Sequence, residues 1–553
     1  MTATTHATVF DIHLLQMQIC THLTLRDIRR CSLVSKDFYI NFSPHLYRTI
    51  HIHRKATFNK FHRPESLAAL SKHRNQVTHV TCEFARIWKT LLDHQCYNLV
   101  TLTSGRFLKR YSNVENNKHQ TRYISDLIEV NPRLHSVDLG QFLFEPEVVT
   151  RFCSVLRTHT KIQELSIVVC PTFSGSFYLV WQLLWSSFRL EKLCIDVYNS
   201  NHYFKEMSDL QFQEYPDLTG SKKTVFPLKD LSLPVKFYSH EHGAFFRFLE
   251  YTPHIERFVT PKFTYDHQIE GLRSVMQTTV TNIQHLNAHS IGIDGHLVAE
   301  MIRLCRNLKS FVSSPRQNRM VLVASALLEH RETLEEVHMI GAGRMESMQV
   351  LYFLTECPKL QIFDVMCKVE KISPDPEVLT RQRMGDVILS TADMNTAAAT
   401  STIPWACTGL KVLKLRYAVP ERAQNETEED KGVTNDWVLP KVLYDQIAVL
   451  TELETLWLGR VEPALITTEG FFLALRAGRG EVVPELEPHK PESETEIRQY
   501  EMGTLYMSKA LMSWRSLSKL RQLHLRGLKN FIEKSTVKEA RKCWKDLDWI
   551  WYN

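Results

Sequence analysis

The sequence predicts an α/β protein: a small N-terminal unit of three helices, then a long stack of short strand-plus-helix repeats. The repeats lay their strands side by side in a curved parallel sheet with the helices outside. Three observations predict this. A phrase of the form Leu-x-x-Leu-x-Leu, in some copies preceded by a cysteine, recurs about fourteen times in the 553 residues. Its anchors in the middle of the chain, residues 228, 255, 283, 308, 334 and 360, stand 27, 28, 25, 26 and 26 residues apart. Residues 10–38, by contrast, carry their apolar side chains at helical spacing.

The repeats justify themselves one by one. Strong copies are Leu134-His-Ser-Val137-Asp-Leu139, Ile162-Gln-Glu-Leu165-Ser-Ile167, Leu190-Glu-Lys-Leu193-Cys-Ile195 and Leu228-Lys-Asp-Leu231-Ser-Leu233. Later ones are Cys305-Arg-Asn-Leu308, Leu334-Glu-Glu-Val337-His-Met339, Cys357-Pro-Lys-Leu360-Gln-Ile-Phe363-Asp-Val365 and Cys407-Thr-Gly-Leu410-Lys-Val-Leu413-Lys-Leu415. Leu453-Glu-Thr-Leu456-Trp-Leu458 and Leu520-Arg-Gln-Leu523-His-Leu525 follow, with weaker copies at Val77, Leu99, Ile255 and Ile283. The last two apolar residues of each phrase bracket a projecting one, as a half-buried strand requires. Between strands the spacing turns helical, as at Val148, Phe152 and Val155. One such unit cannot bury its own apolar face, so neighbours must stack. Over residues 75–530 the pattern resembles a leucine-rich-repeat solenoid of the longer, cysteine-containing type.

Ahead of the repeats, Leu15, Ile19 and Leu23 share one helical face at i, i+4 and i+8. Thr24 opens a second helix with Asp27 three residues on, an acidic near-version of the capping box. Ile28, Cys31 and Val34 are expected on its inner face, and Phe38 is expected to begin a third helix ended by Pro44. From Tyr47 to His53 the alternation around Ile50 and Ile52 predicts a strand that leads into the first repeat.

The run Ile19…Leu23…Asp27-Ile28…Cys31…Leu33-Val34-Ser35-Lys36…Phe38 resembles an F-box. The second half fits that family's Asp-Leu and Val-Cys-Lys pattern, with Ser35 in place of the Cys. The opening, Asp11-Ile12-His13-Leu14-Leu15, lacks the family's Pro and Glu. The resemblance implies docking on a Skp-type adaptor, and through it on a cullin, by Leu15, Ile19, Leu23, Ile28, Val34 and Phe38. The alternative is a helical cap over the end of the repeats, in a scaffold with no ligase role.

The expected organisation is thus an F-box-like domain over 8–46, a solenoid over 47–530 and a C-terminal cap over 531–553. Loop insertions are expected at 201–224, 371–405, 421–440 and 480–505. Residues 421–436 hold six acidic and two basic residues, and 481–501 hold seven acidic and two basic, a composition that favours solvated loops.

A formal charge of +6 is small for this length and leaves no nucleic-acid footprint. The N-terminal Met1-Thr-Ala-Thr-Thr-His lacks a signal-peptide pattern, and the apolar run 177–185 is too short to span a membrane. Twelve cysteines include no Cys-x-x-Cys pair, and Cys96, Cys305, Cys357 and Cys407 precede a repeat leucine by three residues. Small buried apolar thiols are expected there. A monomer within a larger complex, in the cytoplasm or nucleus, is the expectation. No nucleophile elbow, phosphate loop or zinc helix is present; the nearest pattern, His240-Glu-His242, has the wrong spacing for a metal helix. Neither catalysis nor a cofactor is expected. The expected activity is to receive a protein substrate on the concave strand face, with ubiquitin transfer left to partner subunits. For that substrate the candidates are the projecting residues Lys414, Trp457 and His524, with Arg416 and Arg526 two residues further along, a composition suited to an acidic or phosphorylated segment.

Overall fold

The computed structural model describes residues 13–104, 123–197, 225–288, 295–365, 388–390, 404–418, 444–461, 509–526 and 534–552. Within those spans it omits 83, 85, 144, 145, 171–177, 187, 235–241, 262, 264, 265, 314–319, 340–346, 545 and 546. The chain divides into two compact units, Met1–Ile255 and Glu256–Asn553.

The first unit opens with α1 (His13–His22), α2 (Leu25–Cys31) and α3 (Lys36–Tyr47). Thr24 caps α2: its hydroxyl accepts the Asp27 amide at 3.3 Å and donates to the Asp27 carboxylate at 2.6 Å. Ser35, where the F-box pattern has Cys, caps α3 by accepting the Phe38 amide at 3.1 Å. Cys20, Ile28 and Phe42 form the buried core, with Leu23, Cys31, Phe38 and Leu46 packed around it. Two expectations are corrected. Pro44 does not end the third helix, which starts at Lys36 and runs to Tyr47 with Pro44 inside it. Proline removes one intrahelical bond, but buried Phe42 and the stacking of Tyr47 on His73, ring centroids 3.8 Å apart, carry the helix past it. Val34 is not on an inner face: α2 stops at Cys31, and Val34 lies in the following turn, 69% exposed.

Then come β1 (Thr49–Ile52), α4 (Lys55–Phe61), α5 (Pro64–His73), β2 (His79–Cys82), α6 (Arg86–Asp93), β3 (Thr101–Ser104) and α7 (123–129). They continue with β4 (Ser136–Leu143), α8 (Pro146–Thr158), β5 (Glu164–Cys170), α9 (Tyr178–Ser186), β6 (Lys192–Val197), β7 (Asp230–Ser232) and α10 (His242–Glu250). Each strand from β1 to β7 pairs in parallel with the next. The apolar run expected to be too short for a membrane becomes α9. Its Trp185 meets Phe226, Phe248 and Tyr251 edge-on. Among the described residues no helix is long and apolar enough to cross a membrane.

The second unit repeats the scheme with β8 (Arg257–Val259), α11 (Asp266–Thr278), β9 (His285–Asn287), α12 (Gly295–Leu304), β10 (Ser310–Ser313) and α13 (Met320–Leu328). It goes on through β11 (Glu336–Met339), α14 (Ser347–Glu356), β12 (Ile362–Asp364), β13 (Ile388–Ser390), β14 (Val412–Ala418), β15 (Thr455–Val461), β16 (Gln522–Arg526) and β17 (Asp548–Tyr552). Pairing is again parallel throughout, with β12 and β13 on successive stretches of β14. β13 falls inside the span 371–405 expected to be a loop, so that insertion contributes a strand to the sheet. The expected cap, 531–553, contains helix Lys534–Cys543 and strand β17, one further helix-and-strand step, with Trp544 Nε1 donating to Leu517 O at 3.2 Å. The insertions 201–224, 421–440 and 480–505, and the His240-Glu241 pair, lie outside the described residues.

All fourteen anchors are buried, and a strand starts two residues after each. The third and fifth residues beyond an anchor turn into the core, as Leu413 and Leu415 do at 0% exposure, and the fourth turns outward. Helices cover the other side, α11 through Ile269, Leu272 and Met276, α14 through Val350, Phe353 and Leu354. Register is pinned by a recurring device: the carbonyl one residue past an anchor accepts two amides of the next repeat. Gln361 O takes the Lys411 and Val412 amides at 2.8 and 3.1 Å, and Lys411 O takes those of Glu454 and Thr455 at 2.8 and 3.0 Å.

Cys96, Cys305, Cys357 and Cys407 are buried as expected, and burial pushes each thiol up to about 12. At the equivalent place before Leu134 stands Asn131. It accepts the Leu99 amide at 2.8 Å and donates to Leu127 O at 2.7 Å, fully buried. Asn131→Ala is expected to cost about 1–2 kcal/mol by stranding that buried amide, measured as a lowered urea midpoint for the first unit; an unchanged midpoint would show that water replaces the bond.

Candidate functional site

Parallel pairing in register brings the outward residue of each repeat beside that of the next. In the second unit this makes a row: Val312, His338, Asp364, Lys414, Trp457, His524. At its centre Lys414 Nζ donates to Asp364 Oδ2 at 2.6 Å, and His338 Nδ1 stands 3.9 Å from the same oxygen. Burial pushes the Asp364 carboxyl up, but hydrogen bonds and charge from His338 and Lys414 reverse it, leaving the group below its usual value. On its other side Lys414 Nζ lies 5.6 Å from the centre of the Trp457 ring, a cation–π contact. Trp457 is half-buried and packs on His524, ring centroids 4.0 Å apart and tilted 31°. Burial lowers His524 to about 4, so its ring is neutral near pH 7. In the adjacent row the half-buried Ile362 and Val412 stand on strands β12 and β14.

Lys414, Trp457 and His524, predicted from sequence, therefore do come together. Arg416 and Arg526 pair with Gly459 from its two sides in backbone register, and their side chains lie outside the described residues. Two expectations change. His524 is a buried support at 6% exposure rather than an exposed cation, and the Lys414 charge is matched by Asp364. Sequence reasoning missed Asp364 and His338. Both occupy the projecting position of their own repeat phrases, so the rule that found Trp457 would have found them.

A second surface lies on the N-terminal helices. Among the described residues twelve large hydrophobic side chains are exposed, and six of these, Leu15, Leu25, Leu33, Val34, Tyr39 and Ile40, fall on or between α1, α2 and α3. The three-helix core is closed without them. Of the residues expected to dock an adaptor, Leu15 and Val34 are exposed, Ile19, Leu23 and Phe38 half-buried, and Ile28 is core at 4% exposure.

No family model matches the sequence. No curated protein matches it. Among solved structures, the leucine-rich repeat-containing protein LegL7 from Legionella pneumophila is similar over 61% of this chain and 97% of its own, at 10% identity and a TM-score of 0.30.

Proposed function

We propose that this chain is the substrate-recognition subunit of an SCF-type cullin ubiquitin ligase. Its N-terminal helices dock a Skp-type adaptor, and the outward strand face of the repeats holds a protein substrate. The observation that carries the proposal is the number of exposed apolar side chains on and between three short helices whose core is otherwise closed. The F-box-like run supplies the identity of the partner, and the caps at Thr24 and Ser35 give that run helices of its own. The link to the repeats is short and firm: α3 ends at Tyr47, β1 begins at Thr49, and Arg48 O accepts the Thr78 and His79 amides at 2.9 and 3.0 Å. Carrying the substrate on the same chain as the adaptor raises its local concentration at the partner subunits, which is how a non-catalytic subunit accelerates transfer by its partners. Such a subunit needs no active site or cofactor and works in the cytoplasm or nucleus.

The experiment is co-purification of the full chain with a recombinant Skp-type adaptor, and then of that pair with a cullin. Stable capture supports the proposal. No capture by a folded chain ends it, and leaves a scaffold whose helices cap the first strand.

A further inference from the structure

We propose that the stretch of the row from Asp364 to His524 reads an extended partner segment through an uncharged aromatic or aliphatic side chain seated on Trp457, rather than through an acidic or phosphorylated group. This rests on the receptor reading above and names the chemistry of its substrate. The first support is a contrast between the two units. In the first, the outward residues that follow His51 on β1 are short: Thr81, Thr103, Asp138, Ser166, Cys194 and Ser232. In the second they begin small, with Val259, Asn287 and Val312, and turn bulky toward Trp457, the largest apolar surface in the row. A tryptophan held between the tilted His524 ring and the Lys414 ammonium is fixed before a partner arrives, so little ordering cost remains at binding. That is the composition and setting of an interface hot spot.

The second support is charge. Lys414 already donates to Asp364, and His524 is neutral at physiological pH, so the stretch from Asp364 to His524 carries no net charge. A phosphate or carboxylate placed on Trp457 would have to compete with a carboxylate that is 9% exposed and hydrogen-bonded to the same ammonium. An apolar side chain needs no cation, and half-buried Val412 in the adjacent row of the neighbouring strand adds apolar surface beside Trp457. Arg416 and Arg526 stand two residues further along their strands in backbone register, outside the stretch from Asp364 to His524.

The test pans a random-peptide phage library on the purified full chain, without adaptor, and measures the enriched peptides on wild type, Trp457→Ala and Trp457→Tyr. Enriched peptides are expected to share one Trp, Phe, Leu or Ile. Replacing that residue by Ala should weaken binding about tenfold or more. Trp457→Ala should weaken it as much, with no further loss when both changes are combined, while Trp457→Tyr recovers most of it. The tyrosine variant keeps a ring on His524 and guards against a folding defect. Enrichment of Asp- and Glu-rich peptides overturns the proposal, as does no enrichment, or affinity kept within about threefold in Trp457→Ala. Light scattering that shows self-association lost in Trp457→Ala would make a second copy the occupant. Binding that emerges only on deleting residues 421–436 would make that segment the occupant. Either result also overturns it. Adaptor capture is scored separately, so failure here leaves the docking proposal standing, and failure there removes the ligase role while the peptide contact at Trp457 is still read by the panning.

Discussion

Replacing Leu33 and Val34 together by aspartate is expected to abolish capture of a Skp-type adaptor while the chain stays folded. The two side chains are 77% and 69% exposed, so neither contributes appreciably to the core. Covering an apolar side chain of this size in an interface is worth about 1.5–3 kcal/mol, part of which is spent on ordering and desolvation. Two such losses, with two carboxylates driven into an apolar contact, should exceed about 100-fold in affinity. Ile28→Asp would also abolish capture, but for another reason: Ile28 is 4% exposed and a charge there breaks the three-helix core. The informative pair is therefore Leu33→Asp/Val34→Asp against Val449→Asp, an exposed apolar residue of the second unit that should change nothing. Calorimetry with the recombinant adaptor reads the affinity, and circular dichroism reads the fold. Undiminished binding by the double variant would place the docking surface elsewhere.

Much of the architecture was legible because the repeat phrase is local. An anchor, a two-residue step and an alternating strand are fixed by burial and pleat within nine residues, and every anchor from Val77 to Leu520 is buried where the pattern puts it. Caps are equally local, which is why Thr24 was recognisable as a helix start. Pro44 was misleading because its effect depends on packing from outside the helix, supplied by Tyr47 on His73 across twenty-six residues of sequence. Val34 was misleading because a helix end at Cys31 moves the following residues off the inner face. The candidate site divides the same way. Trp457 follows from its own phrase. Its setting does not, since the Asp364 that neutralises Lys414 lies fifty residues earlier and becomes its neighbour only through the pairing of β12 with β14.

That ion pair carries the second large effect. Lys414→Met should destabilise the second unit by about 2–3 kcal/mol near pH 7. Removing one partner of a buried pair costs about 3–5 kcal/mol, and the figure is lowered here because the Lys414 side chain remains 23% exposed to solvent. The pH dependence identifies the cause. In the wild type burial raises the Asp364 carboxyl, and His338 and Lys414 together bring it below its usual value. A depressed carboxyl contributes stability that is present above its unfolded value, about 3.9, and lost as pH falls through the folded one. In Lys414→Met burial persists while part of the compensation is gone, so the folded carboxyl rises. The penalty is then full above that raised value and fades as pH falls through it. The gap between wild type and variant should accordingly narrow from pH 7 toward pH 4. Asp364→Asn/Lys414→Met leaves no buried charge and should recover most of the loss at pH 7, with a flatter profile. Urea midpoints for the three proteins across that range measure all of this. If Lys414→Met matches the double variant at neutral pH, the pair is screened by solvent, the ammonium is available to an incoming anion, and the uncharged character assigned to the Trp457 surface fails with it.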